Sequence, residues 1–229
     1  MVWMTVFHFS FDLGHYGLWR GENFYQDPFW TLQRTAIVTL FLFCAGAGQG
    51  LAHAQGLGRA HFGRRWWRIA ACALLVSAGS WWMFPGSWIS FGVLHGMAVM
   101  LLMVRLLQGA RLSLPALLAL AVAALLLPLL WRHAWFDSRW TNWIGLVTHK
   151  PRTEDFVPLL PWLGPMLFGV VAGRSVAAMP GRLHGLLARR LPATLRPLAW
   201  LGRWPLSYYM LHQPVMIGLI LAVLALRGS

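Results

Sequence analysis

The feature that most limits how this chain can fold is a series of long apolar runs in which every second break carries arginine and no acid. Leu114–Trp131 contains no charged residue at all, and its length approaches the ~20 apolar residues that a bilayer-crossing helix needs. Seven such segments can be read: Met1 to about Gly14, Leu32–Ala54, Trp66–Phe84, Ile89–Leu107, Leu114–Trp131, Val157–Ala178 and Leu206–Leu226. The chain has 229 residues, 58% of them hydrophobic and 11% charged, so seven spans with short loops use up almost all of it. A soluble domain carries roughly a quarter charged residues, and the deficit excludes one here. The expected fold is all-α, a polytopic membrane helix bundle of about seven transmembrane helices that forms one domain over residues 1–229.

Charge sets the topology. Arg59, Arg64, Arg65 and Arg68 lie between the second and third segments, and Arg105 and Arg111 between the fourth and fifth. Arg174, Arg182, Arg189, Arg190, Arg196 and Arg203 lie between the sixth and seventh. No acid accompanies them. Asp12, Glu22, Asp27, Asp137, Glu154 and Asp155 all fall on the opposite side or at its edge. Cytoplasmic loops carry the arginine excess, so the amino terminus is expected inside and the carboxyl terminus outside. In a soluble protein a net charge of +13 would point to nucleic acid. Here the apolar runs leave no polar surface for such a partner, and the lipid bilayer is the partner expected instead. Cys44 and Cys72 both fall inside apolar segments, where packing as small hydrophobes is expected rather than a disulfide.

The first segment is short, about 21 Å at 1.5 Å per residue against a hydrocarbon core of ~30 Å. No cleavable signal peptide is legible ahead of it, so either packing supplements the helix or the true start lies upstream. Trp66, Trp67, Trp81, Trp82, Trp88, Trp131, Trp135 and Trp204 sit at segment ends, as an interfacial aromatic belt requires. The stretch from Arg132 to Phe156, rich in aromatics and mixed charge, is the longest on the outer side and is expected to cover something.

Ionisable groups inside a membrane are costly enough that function is the default reading. His8 and Asp12 are four apart, so on a helix they share a face. A carboxylate that accepts one imidazole N–H fixes the tautomer and raises the basicity of the other nitrogen, which suits a general base or an imidazole nucleophile. His95, six residues into the fourth segment, lies between Gly92 and Gly96, which would let a helix or ligand approach closely. His212 stands in the last segment beside Gln213, where Pro214 frees a backbone carbonyl. At the outer edge, Arg34 opens the second segment as a snorkelling anchor or an acceptor-binding group. Asp155 opens the sixth, where it could orient a sugar hydroxyl or amine. The inner arginines serve topology first, although they could also bind an anionic donor.

No P-loop, G-x-S-x-G, C-x-x-C or H-E-x-x-H occurs, and no metal site is expected. AGAGQG at 45–50 lies within an apolar helix, where small residues serve packing. His53, His61 and His184 lie in basic loops and read as surface residues.

Several stretches together carry a resemblance: FHFSFDLGHYG at the front, FGVLHGMAV, then EDFVPLLPWLG with GVVAGR, and GRWPLSYYMLHQPV at the end. In them the chain resembles the small bacterial DUF1624 proteins, which belong with the catalytic domain of heparan-alpha-glucosaminide N-acetyltransferase. That resemblance implies a multi-span acyltransferase of the bacterial inner (plasma) membrane. Acetyl-CoA would be its acyl donor, a glycan or amino sugar its acceptor, and a histidine would act in catalysis. It leaves room for a homo-oligomer. His8 falls where the animal enzyme has an asparagine, and the next histidine downstream, His15, is not at the family's spacing. The family opens its first helix with a stretch that is missing here, in keeping with an upstream start. The candidate catalytic residues are therefore His8, Asp12, His95 and His212, and the candidate substrate-binding residues Arg34, Asp155, Trp162 and Gln213. Two other classes fit the same residues. One is a transporter or channel with a histidine proton relay; the other is a haem protein with His95 and His212 as axial ligands.

Overall fold

A computed structural model describes residues 1–179, 181 and 192–227. Among these the chain is all-helical, with no strand and a single isolated parallel bridge, Phe91 to Phe156. The helices are α1 (Val2–His15), α2 (Pro28–Ala54), α3 (Arg59–Met83), α4 (Val93–Gly109), α5 (Leu114–Leu130) and α6 (Leu159–Ala177). A short α7 (Arg196–Leu201) and the long α8 (Pro205–Arg227) follow. Each of the seven apolar segments thus coincides with a helix. α2, α6 and α8 are long and apolar enough to cross a membrane, and α4 and α5 are shorter apolar helices. Their outer faces carry large exposed side chains such as Leu40, Leu106, Leu129 and Leu219, a surface that suits lipid rather than water.

The described residues fall into two compact units. One comprises Met1–Val38 and the residues from 192 onward, so it holds α1, the start of α2, α7 and α8. In it α1 is fixed by aromatic packing. Phe7, Phe24 and Trp30 form a buried cluster, with Phe11 and Ile37 against it, and the Trp30 ring lies 4.3 Å from that of Phe24. Two indoles also make polar contacts: Trp30 Nε1 donates to Glu22 at 2.7 Å and Trp3 Nε1 to Gln33 at 2.9 Å. On the opposite side α1 packs against α8.

The other unit runs from Thr39 and holds the rest of α2 with α3 to α6. In it α2 and α6 meet backbone to backbone. A Cβ added to Gly46 would stand 2.0 Å from the Met166 carbonyl oxygen, and one on Gly169 would stand 2.0 Å from that of Phe43. Gly50 and Gly173, one turn further on, are similarly confined. Glycines four apart on both helices let the two backbones touch, which is how helices gain contact where lipid supplies no hydrophobic drive. The AGAGQG stretch is therefore a packing motif, as its sequence suggested. α5 packs along α6, and α4 packs on both α3 and α6.

The loop between α5 and α6 folds through two short 3₁₀ turns, Ala134–Asp137 and Asn142–Ile144. It lies over the corner between α3 and α4. Arg139 stacks 5.0 Å above the Trp88 ring, and the Trp143 ring lies 6.0 Å from that of Phe91. Phe91 in turn lies 5.9 Å from the ring of His95.

Candidate functional site

In the first unit, two polar stripes face each other. Thr5, His8 and Asp12 recur at helical spacing on α1, and Tyr208, His212 and the adjacent Gln213 do so on α8. The hydroxyls of Thr5 and Tyr208 are hydrogen bonded. The rings of His8 and His212 meet edge to face, centroids 5.2 Å apart. Tyr208 stacks on His212 at 5.9 Å with the planes only 4° apart. Further along, the side chain of Gln213 reaches the Asp12 carboxylate, with His15 the neighbouring charge. Residue numbers rise together in these pairs, so α1 and α8 run parallel.

His212 is held in a defined way. Its Nδ1 lies 2.7 Å from the Tyr209 carbonyl oxygen, and since a carbonyl only accepts, Nδ1 carries the proton. In the neutral ring Nε2 is then an acceptor, and it is buried with no hydrogen-bond partner among the described residues. The second orphan in this unit is Asp12 Oδ2, on a side chain only 3% exposed. A buried polar atom without a partner loses its hydration for nothing in return, and these two lie on facing helices.

One expected pairing is corrected. His8 and Asp12 are not joined by a hydrogen bond among the described residues. The His8 ring turns to His212 and Phe7, while the polar groups acting on Asp12 are Gln213 and His15. Spacing of four puts the two side chains on one face, but the partner helix decides which way each turns. The sequence reading also missed Thr5 and Tyr208. Their signal was the stripe itself, Thr5 three before His8 and Tyr208 four before His212.

His95 and Asp155 come together in the second unit, in different roles. The Ser77 hydroxyl donates to the Ile89 carbonyl at 2.7 Å, so it must accept from His95 Nε2–H, 3.0 Å away. His95 Nδ1 accepts from the Gly92 amide at 3.3 Å. Both imidazole nitrogens are thus engaged, which leaves no lone pair for a base or a haem iron. Asp155 Oδ2 accepts from the Val93 amide at 2.7 Å, at the first residue of α4. A carboxylate there satisfies an orphan N–H and suits the positive helix end. The same oxygen would lie 2.3 Å from a Cβ on Gly92, which is why that position is glycine.

Of the remaining candidates, Arg34 makes no hydrogen bond or ion pair among the described residues, and Trp162 is half-buried in the first turn of α6. At the basic end of the second unit, a pocket of about 370 Å³ is lined by His53, Ala54, Leu114, Arg174, Ala177 and Ala178. Arg174 also donates to the Leu112 carbonyl at 2.8 Å, tying α6 to the α4–α5 turn. Arg182, His184, Arg189 and Arg190 lie outside the described residues. Among the described residues no group of three or more His, Cys, Asp or Glu side chains could hold a metal ion.

Comparison with known families matches residues 1–214 to the family described as heparan-alpha-glucosaminide N-acetyltransferase, catalytic. No curated protein and no solved structure matches the chain. The match takes in nearly the whole chain, both units and the α1–α8 seam as far as His212 and Gln213. The chain belongs to that family, and is an acetyltransferase-like membrane protein.

Proposed function

We propose that the chain is a multi-pass acyltransferase of the bacterial inner membrane, taking an acetyl group from acetyl-CoA and delivering it to an amino sugar or another envelope acceptor. The observation that carries this reading is the α1–α8 seam, where His212 Nε2 and Asp12 Oδ2 lie buried without donors. Two buried acceptors left without donors are completed by a ligand that brings N–H or O–H groups, and an amine or sugar hydroxyl does so. His8, Asp12, His212 and Gln213 form this site. The pocket at His53 and Arg174 offers cationic and neutral donors to the phosphates of the acyl donor. Seven spans with the amino terminus inside fit the parallel run of α1 and α8, because first and last spans point the same way only when the number of crossings is odd.

The test is transfer of labelled acetyl from acetyl-CoA by the full chain in proteoliposomes, with amino sugars supplied on the opposite face. Wild type is expected to label the acceptor, and His8→Ala and Asp12→Asn to lose at least about tenfold of that rate while inserting normally. Solute flux without acetyl-CoA turnover would replace this reading with a transporter.

A further inference from the structure

We infer that Nε2 of His212 is the atom that takes the acceptor's proton during acyl transfer, an assignment that rests on the reading above. Of the imidazoles carried on the described helices, three are not exposed, His8, His95 and His212, and their hydrogen bonds separate them. His95 has spent both nitrogens, on Gly92 N–H and Ser77 Oγ. His8 contacts Phe7 and His212 through its ring faces and edges, and no hydrogen bond among the described residues fixes either of its nitrogens. His212 alone has one nitrogen anchored and the other open. The Tyr209 carbonyl holds Nδ1–H at 2.7 Å, Tyr208 stacked in parallel fixes the ring plane, and Nε2 is left as a buried lone pair. A base needs this arrangement: one tautomer, one orientation and a free acceptor.

The step balances with the groups at hand. The amine nitrogen of the acceptor attacks the thioester carbonyl, a C–N bond forms, and the C–S bond breaks with its electron pair leaving on sulfur. The proton lost by nitrogen goes to His212 Nε2, and the imidazolium returns it to the thiolate. The products are an amide and a free thiol, with the imidazole back in its starting tautomer. His8 on α1 and the Met1 amino group just before it, with Tyr208 and Tyr209 on its own helix, are the titratable groups around this ring. Asp12 Oδ2, the other unpartnered acceptor of the seam, can accept an N–H of the neutral amine as it attacks.

The experiment uses the full chain in proteoliposomes with labelled acetyl-CoA and glucosamine as the probe acceptor. His212→Ala is expected to lower kcat by about 10²–10⁴-fold, to change the KM for acetyl-CoA by less than about threefold, and to recover at least about tenfold when imidazole is added. His8→Ala is expected to gain nothing from imidazole. In parallel, ¹⁵N-histidine spectra of the wild-type chain in nanodiscs, with His212 assigned by its loss in the variant, are expected to show Nδ1 protonated and Nε2 bare. A His212 protonated at Nε2 overturns the assignment even if the variant fails to fold. So does a folded His212→Ala that keeps its rate or ignores imidazole. A wild-type chain that acetylates no acceptor sinks the acyltransferase reading itself, which a wild-type chain that works and an unaffected variant would not.

Discussion

Gly46→Ala is the substitution whose effect follows most directly from geometry. The new methyl would stand 2.0 Å from the Met166 oxygen, 2.9 Å from its carbonyl carbon and 3.1 Å from Val170 N. All three are backbone atoms of α6, so no rotamer change can relieve the contact. The first of them is more than about 1 Å inside ordinary van der Waals distance, so α2 and α6 must part by a comparable amount. Parting them loosens every contact of the seam, including those at Gly50, Gly169 and Gly173, and even a 0.5–1 Å gap forfeits roughly a quarter to a half of each pair's attraction. Overpacking of this kind costs about 1–3 kcal/mol. Gly48, two residues away, has nothing within 4 Å of its added Cβ, so Gly48→Ala meets no clash and gains roughly 0.5–1 kcal/mol of helix propensity. The two variants share a helix and a chemical change, yet are expected to move stability in opposite directions, by about 1.5–4 kcal/mol in total. Reversible unfolding in bicelles, followed by tryptophan fluorescence, reads the difference. Equal shifts for both, or a Gly46→Ala chain as stable as wild type, would refute the close approach of α2 and α6.

Three further outcomes are expected. Asp155→Ala should destabilise the second unit by about 0.5–2 kcal/mol through loss of the α4 cap, whereas Asp155→Asn, whose amide oxygen still accepts from Val93 N–H, should stay near wild type in thermal unfolding and in acceptor KM; an Asn variant that folds but fails to transfer would return Asp155 to the substrate site. Single cysteines at Gln55 and Ser138, in a background with Cys44→Ser and Cys72→Ser, should be labelled from opposite faces of sealed cells by an impermeant maleimide, and labelling from one face would break the assigned topology. In the loop between α5 and α6, the Thr148 hydroxyl, assisted by its amide and by His149, holds the Asp137 carboxyl below the usual aspartate range. A carboxylate stabilised in the folded loop adds stability above the unfolded pKa of about 4 and loses it as pH falls through the lower folded value. Hydrogen exchange of residues 146–149 should therefore accelerate only in strong acid, and Asp137→Asn should remove that dependence.

The helices were legible because burial in lipid demands one kind of backbone. No unpaired N–H or C=O survives in hydrocarbon, so an uninterrupted apolar run has little choice but helix, and every apolar segment here folds as one. The polar residues were legible as anomalies for the same reason, and the spacing of His8 and Asp12 correctly put them on one face. Their roles were not legible, because those depend on partners that sequence separates widely. His95 and His212 look alike in the chain, each a lone imidazole in an apolar segment with a glycine or proline close by. What divides them is Ser77, eighteen residues before His95 and on another helix, set against a mere carbonyl, that of Tyr209, one turn before His212. Ser77 consumes the nitrogen that His212 keeps. The pairing of Thr5 with Tyr208 spans 203 positions, and no local pattern announces it. Yet each stripe carries its helical period of three or four within its own helix. A histidine that shares a face with a tyrosine, on a helix whose carbonyl can hold its Nδ1, is therefore a better sign of a poised base than a histidine four residues from an aspartate. The first arrangement fixes the tautomer from the backbone, whereas the second leaves it to whichever side chain the neighbouring helix presents.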